Sequence, residues 1–299
     1  MTHVATLICN PAKPVVYTAL VDAARAELPG AGKPQWLAHN IAADIPFTAA
    51  PETTDRAVAD MLRERFAETV DIVVQPAEGR RKKLFLADMD STMIGQECID
   101  ELADFVNLKA HVAAITERAM RGEIAFEPAL RERVALLKGL PAAVIDEVIR
   151  ERIHLTPGAR TLVMTMRKNG AYTCLVSGGF KSFTDRIAAM IGFDENRSNV
   201  LEVGTDGALA GLVREPIFGR ESKLQTLLDL RRSHGLSKEA TLVTGDGAND
   251  LSMIQEAGMG VAYHAKPAVA EAAAARIDQG DLTALLYLQG YKKEEFVEG

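Results

Sequence analysis

The stretch KLFLADMDST, residues 83–92, carries the reading of the fold. Leu84-Phe85-Leu86-Ala87 is apolar without alternation, the pattern of a strand buried on both faces in a parallel sheet. It runs directly into Asp88 and Asp90. Carboxylates at i and i+2 project to the same side of an extended chain. Their like charges repel, and a divalent metal or a shared proton is the natural remedy. The same letters also suit a plain turn and helix N-cap, since Asp, Ser and Thr favour both.

Outward from that stretch, strands and helices alternate. Helical patterns cover residues 159–168, 180–190, 220–232, 250–257, 268–275 and 282–288, and strand patterns cover 172–176, 241–244 and 259–262. Such alternation implies a doubly wound α/β fold, a parallel sheet covered on both faces. Residues 99–153 read as helical instead, with segments 110–120, 128–138 and 142–153. They must then form an insertion, a cap of about residues 97–155, over the carboxyl edge where ligands bind in such folds. Gly204-Thr205-Asp206-Gly207 reads as a hairpin turn.

Residues 1–80 differ in character. Strands at 4–8, 35–38, 42–47 and 70–74 and helices at 15–28 and 55–66 give the order β-α-β-β-α-β, which resembles a small α+β ferredoxin-like or ACT-like module. The basic run Gly79-Arg80-Arg81-Lys82-Lys83 reads as an exposed linker, because charge runs are usually solvated. The expected domains are therefore 1–80 and 83–299, in keeping with 299 residues at roughly 100–200 per domain.

Composition narrows the function. Hydrophobic residues make up 47% and charged residues 25%, a globular balance. The net charge of −7 argues against a nucleic-acid or anionic-membrane partner, so an anionic substrate needs a local positive cluster. No stretch reads as a signal peptide or membrane span, and a cytoplasmic protein is expected. Cys9, Cys98 and Cys174 are widely spaced and odd in number, which suits buried thiols rather than disulfides or zinc. His3, His39, His111, His154, His234 and His264 form no metal-spaced pair.

Three further segments fall at or near strand ends. Ser177-Gly178-Gly179 offers a hydroxyl and close backbone N–H groups to an oxyanion, and reads equally as an ordinary turn. Lys223 lies early in a helix, where a lysine is usually solvated. Gly245-Asp246-Gly247-Ala248-Asn249-Asp250 carries oxygen ligands suited to a hard cation, in letters that also suit a turn. A parallel sheet would bring all four segments to one point. Carboxylates, N–H donors and one ammonium together fit phosphoryl transfer, where positioning and charge neutralisation dominate.

In content and order these segments resemble the four motifs of the haloacid dehalogenase-like phosphatases, over about residues 83–290. DMDSTMIGQE, AMRGEIAFEPALRERVALLKGLP, SGGF and GDGANDLSM are similar to the branch of that family that hydrolyses O-phosphoserine. The resemblance implies Asp88 as nucleophile and Asp90 as general acid and base. It implies Mg²⁺ held by Asp88, the Asp90 carbonyl and Asp246, with Asp250 in support. Ser177, Gly178, Gly179, Lys223 and Asn249 would hold the phosphoryl group and substrate. Glu97 would meet the substrate ammonium and Arg133 its carboxylate, with Met120 and Phe126 closing over them. From the residues alone, Arg131 and Arg133 are equal candidates, and Phe126 and Met120 are equally packing residues.

The implied partner is a small-molecule substrate, with neither nucleic acid nor membrane, and a homodimer stays open. Transfer of the phosphoryl group to another hydroxyl, such as that of homoserine, and hydrolysis of another small phosphoester remain alternatives. So does an amino-acid-sensing role for residues 1–80, in which no ligand contact is legible.

Overall fold

The computed structural model describes residues 1–50, 52–66 and 68–298. Two sheets organise it. The first has strands β1 (His3–Ile8), β2 (Gln35–Ala38), β3 (Ala42–Phe47) and β4 (Asp71–Pro76) in the order β2-β3-β1-β4. The pairings of β1 with β3 and β4, and of β2 with β3, are all antiparallel. Helices α1 (Thr18–Ala26) and α2 (Asp55–Phe66) complete this β-α-β-β-α-β run.

The second sheet is parallel and six-stranded. It contains β5 (Leu84–Ala87), β6 (Tyr172–Phe180), β7 (Glu195–Asn199), β10 (Thr241–Gly245), β11 (Met259–Tyr263) and β12 (Ala275–Ile277), in the order β12-β11-β10-β5-β6-β7. A hairpin of β8 (Leu201–Val203) and β9 (Leu209–Val213) stands apart, turning at residues 204–208 as expected. Helices α3 (Cys98–Asp104), α4 (Lys109–Met120), α5 (Phe126–Ala135) and α6 (Val144–Glu151) fill the connection after β5, followed by α7 (Ala159–Lys168) and α8 (Lys181–Ile191). The remaining helices are α9 (Arg220–Ser233), α10 (Leu251–Glu256), α11 (Pro267–Ala272) and α12 (Ala284–Tyr287).

Strand β5 shows why its pattern decides the architecture. Leu84 and Leu86 pack with Leu227, Leu230 and Ile254 on one side of the sheet. Phe85 and Ala87 pack with residues of α7 and α8 on the other. A strand with both faces buried needs an apolar residue at every position. Two elements depart from expectation. The sequence pattern predicts one helix over 268–275, yet α11 ends at Ala272 and Ala275–Ile277 forms the edge strand β12. A short run such as EAAAAR has no periodicity, so pairing with Val261, Ala262 and Tyr263 decides it. The polar strand Glu195–Asn199 carries no apolar pattern because it lies on the opposite edge.

The basic run at 79–83 is likewise not a simple exposed linker. Arg81 and Lys83 are exposed, but Lys82 is buried and donates to the carbonyls of Gly79 and Glu239. Arg80 pairs with Asp44 through bonds of 2.6 and 3.1 Å, and reaches Thr6 Oγ1 at 3.1 Å and the Leu288 carbonyl at 3.1 Å. The first sheet is thus buried on both faces. Ala5, Leu7, Ala43, Ile45, Ile72 and Val74 face one core. The alternate positions Thr6, Asp44, Asp71 and Gln75 face the second sheet's layer. Gln75 donates to the Leu288 carbonyl, and Asp71 accepts from the N–H groups of Asp278 and Gly280, each at 2.7 Å.

Replacing Asp44→Ala strands the Arg80 guanidinium in this contact. The expected loss is about 3 kcal/mol in urea denaturation, the usual cost of breaking a buried ion pair from one side. A loss below about 0.5 kcal/mol would mean that the pair behaves as a surface bridge.

Candidate active site

The carboxyl ends of β5, β6 and β10 meet at one point. Register places Thr244 beside Ala87, and Ala87 beside Leu175. Asp88, Ser177 and Asp246 therefore stand at neighbouring levels along three adjacent strands. The backbone at Asp88 and Asp90 is extended, and Ser91 then turns it with φ 54°. Strand β6 runs further than expected, through Ser177-Gly178-Gly179 to Phe180, with a register shift against β7 between Val176 and Phe180. This bulge re-aims the backbone at the sheet edge.

Lys223 reaches this edge from the first turn of α9. It is fully buried, and its ammonium lies 2.7 Å from both Asp88 Oδ1 and Asp250 Oδ1. Asp88, Asp246 and Asp250 each bring a carboxylate oxygen within 4.8 Å of the others. Asp250 also accepts from the Gly247 N–H, and Asp246 Oδ1 accepts from the Thr92 hydroxyl at 3.2 Å. Asp250 is thus engaged at both oxygens. Asp88 Oδ2 and Asp246 Oδ2 have no donor among the described residues.

Three carboxylates face one ammonium, so the buried site is short of positive charge. Burial pushes the Asp88 pKa well above its ordinary value, and Asp250 pushes it further, against the pull of Lys223. Asp246 is pushed up to about 7, by burial first and then by Asp250. Burial alone would lower Lys223, yet Asp250 and Asp88 outweigh it and the ammonium is held more tightly than usual. Unpaired hard oxygen atoms and an excess of negative charge suit a divalent cation.

Asp90 stands apart from this cluster. Its carboxylate accepts from the Cys98 N–H at 2.8 Å and the Ser177 hydroxyl at 3.2 Å. Burial raises its pKa. Ser177 is fully buried and also accepts from the Gly179 N–H at 2.8 Å, so its hydroxyl orients Asp90 in this structure. Gly178 and Gly179, rather than Ser177, line the cavity above. A Cβ on Gly178 would lie 2.7 Å from the tip of the Phe126 ring, so a larger residue there would push that ring aside.

That cavity separates the strand ends from α4 and α5. Asp88, Asp90 and Asn249 line its floor, and Met120, Phe126 and Arg133 line its opposite wall. Glu97 lies at its side and accepts from the Ser91 hydroxyl at 2.6 Å. Burial raises the Glu97 pKa well above its usual value, and the charges of Asp90 and Asp246 add to the effect. The choice between the two arginines falls to geometry. Arg133 is buried against the cavity, whereas Arg131 is exposed and pairs with Glu215 at 2.8 Å. Among the residues without an assigned role in the sequence reading, Ser91, Thr92 and Thr116 touch the site. Ser91 and Thr92 lie inside the first motif, but Thr116 sits in a helix with no local signal.

All three cysteines are buried and unbridged, and none lies in the three-carboxylate cluster. No helix among the described residues is long and apolar enough to cross a membrane.

Comparison with known proteins places this arrangement. A protein from Polaromonas sp. strain JS666 named phosphoserine phosphatase is 52% identical over 211 residues, covering 69% of this chain and 89% of that protein. The phosphoserine phosphatase of Saccharomyces cerevisiae is 39% identical over 76% of this chain and 74% of its own. Among solved structures, a HAD family hydrolase from Salmonella enterica serovar Typhi matches 98% of this chain and 99% of its own, with TM-score 0.83 and 29% identity. A substrate-bound phosphoserine phosphatase complex matches 69% of this chain and 97% of its own, with TM-score 0.66 and 37% identity. The model of the haloacid dehalogenase-like hydrolases matches residues 85–255, more than half of the sequence, and the chain belongs to that family.

Proposed function

We propose that this chain is a phosphoserine phosphatase, hydrolysing O-phosphoserine to serine and phosphate through an aspartyl-phosphate on Asp88. The observation that carries the reading is the placement of Glu97 and Arg133 around the same small cavity as Asp88 and Asp90. An acid for an ammonium, a guanidinium for a carboxylate and a phosphoryl-transfer floor match the three charged groups of one small molecule.

The residues divide the work as follows. An Asp88 oxygen attacks phosphorus, the phosphorus–oxygen ester bond breaks, and the departing serine oxygen takes a proton from Asp90. The raised pKa of Asp90 suits that donation. A water then attacks the aspartyl-phosphate while Asp90 accepts its proton, which restores Asp88 and releases phosphate. Lys223 holds a fixed positive charge beside Asp88 and supplies a point charge to the phosphoryl oxygens. The backbone at Gly178 and Gly179, with Asn249, orients the group that is transferred, and Ser177 steadies Asp90. Asp88, Asp246 and the Asp90 carbonyl would hold Mg²⁺, with Asp250 positioned by Lys223 as support. The cation supplies positive charge to the phosphoryl oxygens and to the nucleophile. Met120 and Phe126, on the cavity wall, would limit the access of water to the reacting atoms. Residues 1–80 form a module separate from the catalytic unit at 83–299, and the helices inserted at about 97–155 form its cap.

Phosphate release should be measured with Mg²⁺ over a panel of small phosphoesters. O-phosphoserine is expected to rank first by kcat/KM, and a low rank would remove the substrate assignment. Asp88→Asn is expected to lower kcat by about three orders of magnitude or more. Turnover near that of the unaltered enzyme would exclude Asp88 as nucleophile. Incubation with homoserine should yield no phosphohomoserine by mass spectrometry; its appearance would favour phosphotransfer.

The raised acids also set a pH dependence. The Asp246 carboxyl goes from an ordinary value near 3.8 to about 7 on folding. The folded state therefore binds the extra proton, and its advantage is full below 3.8 and lost as pH rises through about 7. In EDTA the thermal midpoint is expected to carry a falling contribution over that window. Mg²⁺ competes with those protons, so the midpoint gain on adding it should be larger at pH 7.5 than at pH 5. An equal or greater gain at pH 5 would show that these carboxylates do not hold the cation.

A further inference from the structure

Arg133 is a buried guanidinium without an ion pair among the described residues. Its Nε–H donates to the Ala129 carbonyl at 3.0 Å, and Nη1 donates to Thr116 Oγ1 at 2.9 Å. Burial lowers its pKa from the ordinary value, while Glu97, Asp100 and Asp90 favour its charged form. Yet no carboxylate among the described residues forms a salt bridge with it. A guanidinium offers five N–H groups. Both Nη2 N–H groups and the second on Nη1 therefore have no protein acceptor among the described residues.

Thr116 explains how the charge is kept available. Its hydroxyl carries one proton and two acceptor lone pairs. Oγ1 lies 2.8 Å from Asp100 Oδ1 and 3.0 Å from the Val112 carbonyl. A proton shared between those acceptors favours the carboxylate, because charge-assisted bonds are the stronger. The lone pairs then face Arg133, and the polarity runs from Arg133 through Thr116 to Asp100. Thr116 and Asp100 are both buried, which limits competition from water. The hydroxyl stands between two opposite charges and is bonded to each. It conveys the stabilising field of Asp100 to Arg133 while leaving the guanidinium edge open.

We infer that Thr116, oriented by Asp100, is a positioning and specificity-determining residue, holding Arg133 unpaired so that it can receive the carboxylate of the substrate. This inference rests on the role given to Arg133 above. Thr116 touches no reacting atom, so its removal should weaken recognition of one substrate group and leave the chemistry intact.

The test compares Thr116→Val and Thr116→Ser on two esters, O-phosphoserine and O-phosphoethanolamine, which lacks the carboxylate. With Thr116→Val, KM for phosphoserine is expected to rise about tenfold, the effect of one lost charge-assisted hydrogen bond, with kcat nearly unchanged. For phosphoethanolamine kcat/KM should stay within about twofold, which also reports that the variant folds. Thr116→Ser should restore the phosphoserine KM. If both esters suffer alike, or if the preference for phosphoserine survives in Thr116→Val, the inference is overturned while the substrate reading stands. If the unaltered enzyme uses both esters equally well, the carboxylate role of Arg133 falls and this inference falls with it.

Discussion

Everything in this site depends on a shortage of positive charge beneath the sheet's carboxyl edge. Lys223 is the one ammonium among the described residues that is bonded to the buried cluster, shared between Asp88 and Asp250 at equal distance. Asp246 completes a trio of acids that one lysine cannot neutralise. In a low-dielectric interior such an imbalance is costly unless further positive charge arrives. The same imbalance makes the site receptive to a cation and, with the cation, to a phosphoryl group. Stability is given up where the chemistry needs charge, and the rest of the fold must compensate.

Part of that compensation lies in the way the first sheet is used. Both of its faces are buried, one against α1 and α2 and the other against the C-terminal elements around α12 and β12. Its second face is polar in places, with Thr6, Asp44, Asp71 and Gln75 each meeting a specific partner. Arg80 then serves as a brace, bonding to Asp44 and Thr6 on one side and to carbonyls near the C-terminal end of α12 on the other. Buried polar groups of this kind specify one docking geometry, because any other leaves them unsatisfied.

Specificity is built by a different principle, that of keeping charges near one another but unpaired. Glu97 is held by Ser91 and Arg133 by Thr116. Each side chain is oriented by a neutral hydroxyl, so neither consumes the other. The cavity therefore brings an acid and a guanidinium to one small space with no ion pair between them among the described residues, which is the basis of the proposed fit to a zwitterionic substrate.

The periodicity of the sequence sufficed for the α/β alternation, the β-α-β-β-α-β order of residues 1–80 and most helices, because apolar spacing follows from which faces are buried, and the turn residues 204–207 marked the hairpin. The local chemistry of the site was equally legible. Asp88, Asp90, Asp246 and Asp250 follow apolar strands, and parallel pairing leaves such positions little choice but to converge. What stayed hidden was every feature made by residues distant in the chain. Arg131 and Arg133 look alike in sequence, and only the rotation of α5 buries one and exposes the other. The run at 80–82 looks solvated, and only the docking of the two sheets turns Arg80 and Lys82 inward. The strands at 195–199 and 275–277 have no pattern of their own, and neighbouring strands impose them. Hydrophobic spacing is a local property written residue by residue, whereas the pairing of polar groups depends on separations that exist only once the chain has closed on itself.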